Sequence, residues 1–134
     1  NYYYTDVDDA GKKAFKQFLK AEYLLKQRQI SEASQLLNHI IDKNSNKKII
    51  PMISLRRAIL LLKMKKFEQA LNQVASIENS LFGDKSIIMS GQIYEQIYND
   101  NEKAMEYYMR IINNYTNSIY FEPVRYHIRM LNNS

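Results

Sequence analysis

Apolar residues recur along this chain three or four positions apart, and short polar turns interrupt them repeatedly. That period is helical, and it is strong enough to place seven helices near residues 8–28, 31–43, 50–65, 67–80, 84–99, 101–114 and 120–132. Ser31, ahead of Glu32 and Ala33, is the candidate N-cap of the second helix. Pro51 falls where a first-turn proline is tolerated. Gly83 and Asp84 separate two helices, and the polar run 43–48 is the longest loop. Residues 1–7 have no helical period and are expected to form an irregular arm ahead of a domain spanning 8–134. The arm carries Tyr2, Tyr3 and Tyr4, three adjacent aromatics that no local core can accept. They are expected to dock on the domain's own groove or on a second protein.

The helices repeat in pairs. Ala33, Ala70 and Ala104 each open an apolar helix, at separations of 37 and 34 residues. A second small residue precedes each of them: Ala21 by 12, Ala58 by 12 and Gly91 by 13. Bulky residues follow four positions on, at Leu37, Val74 and Tyr108, and again at Ile40, Ile77 and Ile111. Close packing explains the pattern, because antiparallel helices cross tightly only where one presents a small residue, and bulky neighbours then fill the space beside it.

This spacing resembles the tetratricopeptide repeat family over roughly residues 12–118, most clearly in Glu102-Lys103-Ala104-Met105-Glu106-Tyr107-Tyr108. It departs from the family where an early aromatic is replaced (Gln17, Ser54, Ile87) and where a terminal proline is missing (Ser45, Phe82, Thr116). The resemblance implies an all-α fold, a right-handed α-solenoid of about three helix pairs. The repeats fall near 12–45, 50–82 and 84–118, with a capping helix at 120–132. Tyr115-Thr116-Asn117-Ser118-Ile119-Tyr120, followed by Arg125 and Arg129, is similar to repeat endings of exported bacterial members, including envelope-assembly lipoproteins. That likeness implies a bacterial envelope location.

Composition adds exclusions. With no cysteine, the chain has no disulfide, zinc-thiolate site or cysteine nucleophile. No apolar run approaches the ~20 residues of a membrane span. The three glycines form no phosphate-binding loop. Beginning at Asn1, the chain reads as a processed product or a fragment, a removed signal peptide being one explanation. His39 and His127 are the only histidines. His127 has no acid or histidine at i±3 or i±4, and His39 has only Asp42. Both are read as structural or surface groups. Asp6, Asp8 and Asp9 lack the distant glutamate of a calcium loop and suit an acidic helix start. No catalytic residue, metal or cofactor is expected, and the chain is not expected to be an enzyme.

Charge is uneven. Residues 11–66 carry 14 lysines and arginines against Glu22, Glu32 and Asp42, whereas residues 67–134 carry 5 bases and 8 acids. Lys12, Lys13, Lys16 and Lys20 with Arg56 and Arg57 form a candidate basic patch. It suits a solvated face, an acidic protein or an anionic membrane surface, and no nucleic-acid fold accompanies it. The polarity also permits head-to-tail self-association.

In the family resembled, the first helix of each pair lines a concave surface. Register then assigns Phe18, Glu22 and Lys26 to it from the first pair. The second pair supplies Leu55, Ile59, Leu62 and Lys63, and the third Ile88, Gln92, Glu95 and Gln96. The apolar middle fits an amphipathic helix or extended apolar peptide. The expected function is a non-catalytic scaffold or assembly subunit that binds a partner protein through this groove and its basic N-terminal half. The alternative is an accessory or regulatory subunit of a multi-subunit enzyme complex, envelope or redox.

Overall fold

The computed structural model describes residues 9–44 and 48–133. Among them are seven helices and no strand: α1 (Asp9–Lys26), α2 (Ile30–Lys43), α3 (Ile50–Lys63), α4 (Phe67–Ala75), α5 (Gly83–Gln96), α6 (Asn101–Asn114) and α7 (Phe121–Asn132). The chain divides into two compact units between Gln73 and Val74. The arm tyrosines Tyr2, Tyr3 and Tyr4 lie outside the described residues.

The small-residue pairs occupy the positions that close packing requires. Ala21, Ala33, Ala58, Ala70 and Ala104 are completely buried, Gly91 is buried, and the bulky residues Leu37, Ile40, Val74, Ile77, Tyr108 and Ile111 are no more than 4% exposed. In the first unit α1 packs on α2 and α2 on α3, around Leu37, Ile40, Ile53 and Leu60. Phe15, Phe18, Leu24 and Leu25 close the edges of that core. In the second unit α5 packs on α6 and α6 on α7, around Ile87, Tyr108, Ile111 and Val124 with a fringe of tyrosines. Each fully buried Leu or Ile contributes about 1.5–3 kcal/mol, so a handful of such positions decides each unit.

The turn inside each pair has a common device. Arg28, Lys65 and Asn99 hold positive φ values of 62°, 60° and 54°. Each stands five residues before the small residue of the second helix, so the device repeats with the pattern. After α1, Arg28 N–H bonds to Leu25 O and Gln29 N–H to Leu24 O; after α3, Lys65 N–H bonds to Leu62 O and Lys66 N–H to Leu61 O. Both turns satisfy the last carbonyls of their helices in the left-handed closing geometry that glycine usually supplies. After α5 the reach is one residue longer, Asp100 N–H to Tyr94 O. Asp100 then caps α6 through its own carboxylate, which accepts from Lys103 N–H at 2.9 Å.

Two local expectations need correction. Ser31 is not the N-cap of α2. Ala33 N–H bonds to Gln29 O at 3.0 Å, so the helix begins at Ile30 with Gln29 as cap, and Gln29 makes no side-chain cap bond. The fourth helix ends at Ala75 rather than near 80. Ser86 Oγ, fully buried on α5, donates to Val74 O, which also accepts from Ile77 N–H. With that carbonyl engaged, the chain continues in tighter three-residue turns, with Glu78 N–H on Ala75 O and Ser80 N–H on Ile77 O.

Candidate binding site

The second unit carries a cleft of about 360 Å³ between α5 and α7. Helical periodicity builds both walls. Lys85, Ile88, Gln92 and Gln96 follow one face of α5 at spacings of three and four, and Tyr120, Pro123, Val124 and His127 do the same at the start of α7. Met89 and Tyr108 complete the lining. The apolar positions are Ile88, Met89, Pro123 and Val124, while Lys85, Gln92, Gln96 and His127 offer hydrogen-bonding groups.

Two lining residues converge on one carboxylate. Tyr108 Oη donates to Glu95 Oε1 at 2.7 Å, and His127 Nε2 lies 2.8 Å from the same oxygen. The His127 ring stands edge-on to Tyr108, with centroids 5.3 Å apart. Burial alone would raise the Glu95 pKa. The His127 and Tyr108 hydrogen bonds and the electrostatic interaction with His127 outweigh it and hold the carboxyl below its ordinary value. Burial, followed by the bond to Glu95, pushes the Tyr108 phenol well above its ordinary value of 10, so it stays a neutral donor.

The lowered carboxyl has a consequence for stability. A carboxylate whose folded pKa is depressed stabilises the fold fully above its unfolded pKa, and that contribution disappears as pH falls through the folded value. The urea midpoint should therefore be steady from pH 7 to 5 and fall below about pH 4.5, the ordinary glutamate value. Glu95→Gln should flatten part of that fall, and an unchanged acid limb would show that Glu95 does not contribute.

Beside this network an aromatic ladder runs over α5, the turn after it and α6. Tyr94 stacks on Tyr107 at 5.6 Å between centroids and meets Tyr98 at 5.7 Å. The Arg110 guanidinium lies 5.6 Å from the Tyr107 centroid and is ion-paired to Glu78 at 2.7 Å.

The predicted groove residues have different fates. Ile88, Gln92 and Gln96 line the cleft, and Glu95 bonds two of its lining residues. In the first unit Leu55 is buried, and Phe18 is half-buried against the core. Ile59 and Leu62 are also half-buried, whereas Lys26 and Lys63 are exposed. Glu22 accepts both Nε and Nη2 of Arg56, at 2.8 and 3.2 Å. Of the basic patch, Lys13, Lys16 and Lys20 are exposed and Lys12 is half-buried. Arg56 is taken up by Glu22, and Arg57 by Gln73 Oε1 at 2.7 Å and Ser34 O at 3.4 Å. Desolvation lowers the Arg57 pKa against the pull of Asp42. Among the described residues no group of three or more histidine, cysteine or acidic side chains could hold a metal ion. No described helix is long and apolar enough to cross a membrane.

Inspection at i±3 and i±4 missed the His127–Glu95 contact because the partners are 32 residues apart. The period itself carries the signal. Arg56–Glu22 and Ser118–Asp84 are separated by 34, and Arg110–Glu78 and His127–Glu95 by 32. Complementary groups 32 or 34 residues apart, at or just under one repeat, account for all four.

Consecutive helices that carry buried small residues at a recurring spacing, Ala21 with Ala33, Ala58 with Ala70 and Gly91 with Ala104, define a helical-repeat protein. Residues 5–132 match the family model of the tetratricopeptide repeat-like domain, and the chain belongs to that family. No curated protein matches it, and no solved structure does. Domains of this kind are generally non-catalytic modules that bind protein partners.

Proposed function

We propose that this chain acts as a scaffold or assembly subunit that holds a partner protein by a short amphipathic segment seated in the cleft between α5 and α7. The observation behind this reading is the mixed lining of that cleft. Ile88, Met89, Pro123 and Val124 offer a few apolar contacts, and Gln92, Gln96, Lys85 and His127 offer donors and acceptors that set orientation. Peptide-binding sites combine these two features. A cleft of about 360 Å³ accommodates two or three side chains rather than a folded surface.

The test is selection of peptides from a random display library on the immobilised chain, followed by titration of the enriched peptides. Ile88→Ala, Gln92→Glu and Gln96→Glu should each weaken binding several-fold or more. Asn113→Glu, on the exposed surface of α6, should leave it unchanged. Equal binding by all four variants overturns the reading.

A further inference from the structure

We propose that the exposed face of α1 docks on an anionic lipid bilayer. Lys13, Lys16, Leu19, Lys20, Tyr23 and Lys26 all face solvent on this 18-residue helix. At 100° per residue they share one arc, opposite the buried Ala14 and Ala21. Leu19 is 51% exposed and Tyr23 61%, one turn apart, and the lysines stand around them. No acidic residue falls on that arc between Lys12 and Gln27.

Among the described residues, the acids nearest the arc are engaged elsewhere. Glu22, the acid within α1 beyond its first turn, is held by Arg56 in a bidentate pair. Asp42 acts on Arg57. Arg56 and Arg57 are thus engaged within the unit, while Lys13, Lys16, Lys20 and Lys26 make no ion pair among the described residues. A second cleft of about 370 Å³, lined by Lys13, Gln17, His39 and Lys43, extends the cationic surface from α1 onto the end of α2.

The occupant follows from shape and chemistry. A partner helix needs a groove, and this arc is the convex side of a single helix. A planar anionic surface needs what the arc supplies: long flexible point charges, whose stems can lie along the surface, around a short apolar centre. Tyr23 suits the headgroup level, with its hydroxyl accepting from Gln27 Nε2 at 3.1 Å. Binding of such a face scales with the apolar area it buries and with its electrostatic attraction to anionic lipids, so the two contributions add. Each lysine near an anionic surface contributes about a five-fold gain in partition, so several add to orders of magnitude.

The chain contains no tryptophan, so Tyr23→Trp installs a single reporter in it. With vesicles of three parts phosphatidylcholine to one part phosphatidylglycerol, its emission should shift to the blue, and the unmodified chain should float with the vesicles. Pure phosphatidylcholine should give neither result. Lys13→Gln, Lys16→Gln and Lys20→Gln combined should lower partition about a hundred-fold, and Leu19→Ser with Tyr23→Ser should lower it at least ten-fold, both with the helical circular dichroism retained. The proposal is overturned by an unshifted emission without flotation, by equal binding to neutral vesicles, or by undiminished binding of the triple variant. It is also overturned if polyglutamate binds more tightly than the anionic vesicles, which would identify the face as a site for an acidic protein.

Discussion

Tyr108→Ala should remove about 3–5 kcal/mol of stability, the largest single loss expected in the second unit. Tyr108 is 2% exposed, fills the crossing of α5 with α6, and bonds to Glu95. Its removal leaves a cavity beside Gly91 and takes one donor from the carboxylate. The partner substitution gives the sharper test. A Cβ on Gly91 would lie 2.6 Å from Tyr108 Cε1 and 3.0 Å from Cδ1. The ring cannot move aside freely, because its hydroxyl is held by Glu95 and its edge meets His127. Overpacking of this kind costs about 1–3 kcal/mol, while alanine in place of a mid-helix glycine gains about 1 kcal/mol. Gly91→Ala should therefore destabilise the native protein modestly, yet stabilise the Tyr108→Ala variant by about 1 kcal/mol. Urea denaturation of the four proteins reads that reversal of sign. A Gly91→Ala change that stabilises both backgrounds would mean that the ring does not control the crossing.

Leu37→Ala should cost about 2–5 kcal/mol, and Leu36→Ala less than half as much. The two leucines are adjacent in sequence, but Leu37 is completely buried while Leu36 is only half-buried at the core's edge. Leu37 stands four residues after Ala33, the position that Val74 and Tyr108 occupy after Ala70 and Ala104. Thermal or urea unfolding of both variants thus tests the register of the repeat itself, because a slip of one residue would exchange the two results.

Register was the most legible property of this sequence. A small residue at a helix crossing is constrained by sterics alone, so Ala21 with Ala33, Ala58 with Ala70, and Gly91 with Ala104 could be found by counting. Helix ends were less legible, because they depend on hydrogen bonds that distant residues supply. The close of α4 is set by Ser86, twelve residues away, acting on the Val74 carbonyl. The turns at Arg28 and Lys65 carry no glycine to mark them, and only their backbone bonds define them. The cleft was legible by half. The α5 residues Ile88, Gln92 and Gln96, assigned by the repeat register of the family resembled, line it. The α7 wall was not legible, because His127 acquires its meaning from a glutamate 32 residues earlier. Arg56 and Arg57 were read as surface charge, since composition counts charges without showing which are already bonded within the unit.

The left-handed turns bear also on how the chain finds its fold. In each unit the packed pairs are consecutive helices, α1 with α2 and α2 with α3, then α5 with α6 and α6 with α7. The entropy of closing a loop grows with its length, and the turns at Arg28 and Asn99 bring their helices together with only a few residues between them. Contacts of such short sequence separation form early, and helical proteins dominated by them fold in microseconds to milliseconds. A hairpin closed at Arg28 can hold Ala21 near Ala33 before any more distant residue arrives, so the residues that fix the register of the repeat are also placed to meet first.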